Sequence, residues 1–191
     1  TNSTGSDSLN KVDYIEVMVL PDAPESNSET VCYGEVVPDL NATGDEIQWY
    51  DDEMLTNLVH TGNTFATGET NPGTYTYYVT QTSGGCESPY TMVSLTIHAL
   101  PTVGLPPFTS VCVDETSFTL TGGTPEGGIY SGTGVTGDMF DPMTAGPGDH
   151  MITYSFEDAL GCMNDTTQII TVFDLPVVSF ETIADVCADD D

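Results

Sequence analysis

Two kinds of side chain offer chemistry here, thiols and carboxylates. Five cysteines, Cys32, Cys86, Cys112, Cys162 and Cys187, run through 191 residues. The last lies four residues before Asp191 and raises the choice between a reactive thiol, a ligand and half of a bond. Carboxylates cluster as Asp51-Asp52-Glu53, as Asp138 with Asp141, and as Asp189-Asp190-Asp191. Hard oxygens of this kind are candidate calcium ligands, although none has the EF-hand spacing. The plainer reading of each cluster is a solvated acidic face, and Asp141 ahead of Pro142 reads as a turn cap. Catalysis has little to stand on. His60, His98 and His150 are isolated, with no HExxH and no Gly-x-Ser-x-Gly elbow. Among thirty acidic residues a pair at glycosidase separation arises by chance. The chain is therefore not read as an enzyme.

Charge excludes two classes of partner. Thirty Asp and Glu against one basic residue, Lys11, give a formal net charge of -29. Such a chain cannot neutralise phosphates, so nucleic acid is excluded, and an anionic membrane surface is excluded by the same sign argument. No apolar run reaches the roughly 18 residues of a membrane span. The start, "TNSTGSDSLNK", lacks the basic and apolar parts of a signal peptide, and the chain is expected to begin inside a longer precursor.

The elements that position these groups come in repeats. "YIEVMVLPDAPESNSETVC", "VSLTIHALPTVGLPPFTSVC" and "QIITVFDLPVVSFETIADVC" each lead through alternating apolar residues to Leu-Pro. In each, a Val-Cys closes the stretch, the cysteine falling eleven residues after the proline. Self-similarity of this kind marks a tandem array. A second anchor recurs in "NPGTYTYYVTQTSGGCES" and "GPGDHMITYSFEDALGCMN", where Pro-Gly, a strand, a turn and Gly-Cys follow in order. The expected organisation is residues 1–21 as the last strand of a preceding repeat, complete repeats at 22–101 and 102–176, and the start of a following repeat at 177–191. Each complete repeat then holds two cysteines, and the expected disulfides are Cys32 with Cys86 and Cys112 with Cys162. A staple closing about 50 residues suits units too small to bury a large core, and paired cysteines imply an oxidising compartment. Two per unit fall short of the four ligands of a structural zinc site.

Within the repeats the period is two. Tyr75, Tyr77 and Val79 alternate with Thr74, Thr76, Tyr78 and Thr80, and Val93, Leu95 and Ile97 alternate with Ser94 and Thr96. Ile152, Tyr154 and Phe156 do the same. Short β-branched and aromatic runs between Gly, Pro, Asn and Asp clusters predict an all-β sandwich. "DDEMLTNLV" is the one helix candidate. The Gly-rich "TGGTPEGGIYSGTGVTG" lacks the lysine and context of a phosphate loop and reads as turns.

"VCYGEVVPDLNATGDEIQWYDDEM", with Trp49-Tyr50-Asp51, Thr76-Tyr77-Tyr78-Val79-Thr80 and Gly85-Cys86-Glu87-Ser88, resembles the Ig-like repeat of large secreted surface proteins of Bacteroidota. The second unit, through "GGTPEGGIYSGTGV", "FDP" and "ITYSFEDALGC", is similar to a sister repeat of those proteins. The resemblance implies tandem Ig-like β-sandwich domains with one disulfide each. It also implies export by the type IX route and display on the cell surface, associated with the outer membrane. Trp49 is then a core tryptophan, preferred over a sugar-stacking platform. The function implied is a structural and adhesive segment of a cell-surface adhesin, of the gliding-motility type. Its expected partners are neighbouring repeats and surface polysaccharide or another cell-surface protein. The alternatives are a spacer or carbohydrate-binding accessory of a secreted hydrolase, and a filament subunit. Asp7-Ser8-Leu9 and Asp165-Thr166-Thr167 resemble the O-glycosylation motif of such proteins, marking Ser8 and Thr166, while Asn2, Asn41 and Asn164 lie in N-glycosylation sequons.

Overall fold

A computed structural model describes residues 18–181, in two compact units that divide between Ala99 and Leu100. Ser8, Cys187, Asp189-Asp190-Asp191 and most of the expected flanking repeats lie outside the described residues. Both units are almost entirely β.

The first unit contains β1 (Glu25–Ser26), β2 (Glu29–Cys32), β3 (Leu40–Thr43), β4 (Gln48–Tyr50), β5 (Leu58–Thr61), β6 (Thr64–Phe65), β7 (Gly73–Thr80), β8 (Thr82–Ser83), β9 (Cys86–Glu87) and β10 (Thr91–His98). Alternation decides which face of each strand is buried. β10 buries Val93, Leu95 and Ile97, and β7, antiparallel to it, buries Tyr77 and Val79. A five-stranded sheet, in the order β2-β10-β7-β4-β5, and a three-stranded sheet, β1-β3-β6, contribute these residues and Leu40, Ala42, Trp49 and Phe65 to one core. Thr80, placed outward by strict alternation, is fully buried instead. Its hydroxyl donates to Glu87 Oε1 at 2.8 Å, so a charged acceptor replaces the water it gives up.

The helix considered over 51–59 is absent. Asp52 accepts the backbone amides of Thr56 and Asn57 and Leu55 takes a left-handed φ of 55°. The segment closes as a loop before β5.

The second unit contains β11 (Val111–Cys112), β12 (Phe118–Thr119), β13 (Ile129–Ser131), β14 (Val135–Thr136), β15 (Met139–Phe140), the helical turn α1 (Pro142–Ala145), β16 (Gly148–Glu157) and β17 (Met163–Phe173). Its sheets are ordered β11-β17-β16-β13 and β12-β15-β14, around Leu120, Tyr130, Phe140, Ile152, Tyr154, Ile170 and Val172. Two tyrosines pin the glycine-rich loop. Tyr154 Oη donates to the carbonyl of Pro125 and accepts from the amide of Gly128 at 2.8 Å. Tyr130 Oη accepts from the amide of Gly123 at 2.8 Å. Glycine is required at 128 because a Cβ there would sit 2.5 Å from the Ser155 carbonyl and from the Tyr154 ring.

Each unit passes the chain from one end to the other. In the first, the entering segment is held beside the start of β10, where Thr91 Oγ1 donates to the Pro24 carbonyl at 2.6 Å. The chain leaves at the other end of β10, where His98 is in parallel register with Cys32. In the second, Asn164 Nδ2, at the start of β17, donates to the Pro101 carbonyl at 2.9 Å. The exit is Phe173, in register with Cys112.

This polarity corrects the expected disulfides. Cys86 lies in the hairpin that precedes β10 and Cys162 in the one that precedes β17, each at its unit's entry end. Cys32 and Cys112 lie at the exit ends. At about 3.3 Å per strand residue, the two cysteines of a unit are more than roughly 20 Å apart in the first and roughly 30 Å in the second. A disulfide requires Cα atoms within about 7 Å. Accordingly Cys86 and Cys112 are free thiols, whereas Cys32 and Cys162 are disulfide-bonded. One disulfide inside each repeat is not what the structure holds.

Candidate functional site

A groove of about 700 Å³ lies on the first unit, with walls from β5, β6, β7 and the loop before β7. Its walls include Asp51, His60, Phe65, Glu69, Tyr75 and Tyr77. The alternation of β7 sends Tyr75 and Tyr77 to the same face, and the loop before β7 brings Glu69 alongside them. His60 stacks on Phe65 with ring centroids 4.9 Å apart, and Phe65 meets the edge of Tyr77 at 5.0 Å. His60 Nε2 lies 2.7 Å from the Thr64 carbonyl oxygen, an acceptor only, so the ring donates and its orientation is fixed.

Electrostatics keep the tyrosines neutral. Burial pushes the Tyr77 phenol up to about 12, helped by the Glu69 carboxylate, which accepts a long bond from it. Tyr75 is raised by desolvation first and then by the same Glu69. Tyr75 Oη donates to the Asn71 carbonyl at 3.0 Å. The groove thus presents aromatic faces, phenol hydroxyls and carboxylate acceptors, with no lysine or arginine in its lining, an arrangement suited to hydroxyl-rich ligands. The sequence showed Tyr75 and Tyr77 as a strand face. It did not show that His60, from the strand at the edge of the same sheet, and Glu69 close the other walls. Alternation alone does not separate a groove from a core.

Apart from Asp51, which also lines the groove, the acidic clusters are directed elsewhere. Asp51 accepts both bonds from Asn57 Nδ2, at 2.9 and 2.8 Å. At Asp52, desolvation raises the carboxyl. The amides of Asn57, Thr56 and Met54 and the Thr56 side chain outweigh it and hold the group below the usual range. Glu53 accepts from Tyr90 Oη at 2.8 Å. Asp51 and Asp52 thus both engage Asn57, one through its side-chain and one through its backbone nitrogen, while Glu53 turns to Tyr90. Asp138 uses its carbonyl to accept the Leu120 amide at 2.7 Å. Asp141 caps α1, accepting from the Thr144 hydroxyl at 2.6 Å and the Met143 amide at 3.1 Å. The Thr144 bond is the main reason that its carboxyl lies below the usual range. Among the described residues no three His, Cys, Asp or Glu gather as a metal group. Thr166 is half-buried, paired with Tyr154 within the β16–β17 ladder.

Trp49 is fully buried, its Nε1 donating to the Gly62 carbonyl at 2.8 Å, and packs on Phe65. It is part of the core and offers no stacking platform. His150 Nε2 lies 2.7 Å from the Gly146 carbonyl, as His60 does from its own turn. Among the described residues no helix is long and apolar enough to cross a membrane.

Residues 21–98 match the family model described as "Ig-like domain CHU_C associated". The first unit is an Ig-like domain. No curated relative matches the chain. Among solved structures it is similar to the Ca2+-stabilized adhesin that helps an Antarctic bacterium reach out and bind ice. That match has 16% identity and TM-score 0.41, and covers 76% of this chain and 46% of that one. It is also similar to human mucin-like protocadherin EC1-2, at 10% identity and TM-score 0.30, covering 79% of this chain and 97% of that one. A third is Sidekick-1 immunoglobulin domains 1-4, at 14% and 0.33, covering 81% and 48%. This chain thus spans about half the length of the first and third. At such scores the likeness decides nothing about ligand or partner.

Proposed function

We propose that this chain is a stalk and interaction segment of an extracellular bacterial adhesin, built from Ig-like repeats. The observation that carries this reading is the end-to-end path of the chain through each unit. A sandwich whose chain enters at one end of its last strand and leaves at the other adds length to an array with every repeat. The net charge of -29 keeps such arrays soluble and mutually repelling, and the disulfide suits an oxidising exterior. Export by the type IX route, outer-membrane association and a gliding-motility role rest on the resemblance of the Trp49-Tyr50-Asp51 and Gly85-Cys86-Glu87-Ser88 motifs to the repeats of such proteins. The test is retention under flow of beads coated with the protein, on surfaces bearing bacterial polysaccharide or cell-envelope protein. Retention above that of albumin-coated beads is expected. Equal retention on every surface overturns the adhesive role.

A second reading is favoured by the groove of Asp51, His60, Glu69, Tyr75 and Tyr77: a saccharide-binding module. Its test is a glycan array read with wild type and Tyr75→Ala. Binding that survives the substitution removes the groove from the account.

A further inference from the structure

The larger sheet of the first unit is incomplete along one strand. On one side β7 pairs with β10 over nearly its whole length, from Gly73 opposite Ile97 to Val79 opposite Thr91. On the other side it pairs with β4 only at Tyr78, Val79 and Thr80, because β4 ends at Tyr50. Asp51 then leaves the ladder, its amide donating to the Asn57 carbonyl at 3.4 Å. Among the described residues no backbone group pairs with that second side of residues 73–77. β7 is thus an interior strand near its end and an edge strand near its start.

The groove follows this open edge. A groove on the face of a strand is lined by alternate residues, since side chains alternate between faces. Here Thr74, Tyr75, Thr76 and Tyr77 line it consecutively, as the edge of a strand does. The second unit supplies a contrast. Its β16 corresponds to β7, with Gly148 opposite Val172 as Gly73 is opposite Ile97, and its ladder with β13 reaches only from Ser155 back to Thr153. There the chain beyond β13 closes on the strand, so that a Cβ at Gly132 would lie 2.5 Å from the Met151 carbonyl oxygen. In the first unit the residue beyond the short strand is Asp51, whose carboxylate turns to Asn57, and the groove leaves the edge of β7 open.

We propose that this groove is a β-strand addition site, in which an extended peptide segment carrying a lysine or arginine pairs with residues 73–77 of β7. It rests on the chain's role as an interaction segment and gives the partner a chemistry. Backbone N–H and C=O groups along an unpaired strand edge supply affinity, and the side chains beside them supply selectivity. The available edge is roughly 16 Å long, at about 3.3 Å per residue. An added strand alternates as β7 does, so one set of its side chains faces Tyr75, His60 and Glu69 and the other faces Thr74 and Thr76. A basic side chain in the first set meets the Glu69 and Asp51 carboxylates and the Tyr75 ring, and no lysine or arginine lines the groove to repel it. A second copy of this chain is a poor occupant, because its net charge is -29 and Lys11 is its one basic residue. The platform left for a sugar ring is small, since Phe65 and Tyr77 are 7 % and 6 % exposed.

A random peptide library is panned against the full chain, and the peptides that bind are then followed by amide hydrogen exchange of the protein. The expected peptides alternate β-branched or aromatic residues with polar ones and carry Lys or Arg. Bound peptide should protect alternate amides, those of Thr74 and Thr76 or those of Tyr75 and Tyr77, because every second residue of a strand edge points its N–H outward. N-methylation of the peptide's alternate amides, in one of their two phases, should weaken binding about tenfold, the worth of two lost bonds. Glu69→Gln should weaken a lysine peptide several-fold and leave its alanine analogue unchanged, with Trp49 fluorescence confirming that the unit is folded. Selected peptides without a basic residue, or protection away from residues 73–77, overturn the proposal. If no peptide binds the groove and a chitin oligosaccharide protects it instead, sugars are the occupant and the proposal falls. It falls equally if the same protection arises without peptide in a concentration-dependent dimer. Retention under flow reads adhesion and exchange reads this edge, so either can fail without the other.

Discussion

Tyr154→Phe tests whether the glycine-rich loop of the second unit is held by its tyrosines or by its own turns. The hydroxyl makes two bonds, one accepted from the Gly128 amide and one donated to the Pro125 carbonyl. The ring is 2 % exposed and otherwise belongs to the core, so removing one oxygen leaves the packing in place. At about 1 kcal/mol net per hydrogen bond, the loss is about 2 kcal/mol. Tyr130→Phe removes one bond, to the Gly123 amide, and should cost about half as much. In a unit of this size each kcal/mol moves the midpoint by roughly 4–8 °C. Tyr154→Phe should therefore lower the second unit's melting by roughly 8–16 °C, and Tyr130→Phe by half that. Calorimetry under reducing conditions reads the two units without the disulfide. The chain's one tryptophan, Trp49, lies in the first unit, so its fluorescence reports that unit alone and should not move. A Tyr130→Phe effect equal to or larger than that of Tyr154→Phe refutes the reasoning, because the bond count would then not set the order. A shift in the Trp49 transition refutes the assignment of the effect to the second unit.

Other outcomes follow from the same geometry. Leu95→Ala, at a fully buried position of β10, should cost the first unit about 2–5 kcal/mol and shift the Trp49 fluorescence transition, which a calorimetric scan can confirm. Tyr77, held neutral to about 12 against about 10 in the unfolded chain, contributes stability that is complete below pH 10. The unfolded state releases its proton first as pH rises, so this stability is lost between pH 10 and about 12. Tyr77→Phe should flatten that alkaline loss in denaturant titrations of Trp49, and an unchanged slope would show that another group titrates. Asp141, with its carboxyl below the ordinary range, contributes stability present above the unfolded value near 4 and lost as pH falls through the folded one. Asp141→Ala should lower the second unit's melting at pH 7, Asp141→Asn less because the amide oxygen still caps α1, and the difference from wild type should vanish in acid.

Much of the fold was legible because a half-buried strand writes its two faces into alternate residues. Val93, Leu95 and Ile97, and Ile152 and Tyr154, form the apolar half of such an alternation and are buried. The buried Thr80 broke the rule because its hydrogen-bond partner, Glu87, comes from the next hairpin, and no local pattern records a partner seven residues on. The turn α1 leaves little trace in the sequence because a four-residue helix has no period to detect, although Asp141-Pro142 marks its cap. The groove was invisible for a related reason. Tyr75 and Tyr77 carry the same alternation as a core face, and only the placement of His60 and Glu69 makes part of that face a concavity.

The cysteines show where one-dimensional spacing stops being informative. Equal intervals from Leu-Pro to Val-Cys point to a repeat, and two cysteines per repeat make closure within the repeat the economical expectation. Sequence separation, however, counts residues along the chain and says nothing of which end of a strand each occupies. Cys32 is fixed by parallel register with His98, at the end of β10, whereas Cys86 belongs to the hairpin before its start. The last strand of each unit therefore holds that unit's two cysteines apart. A strand of β10's length is incompatible with a bond between cysteines at its two ends.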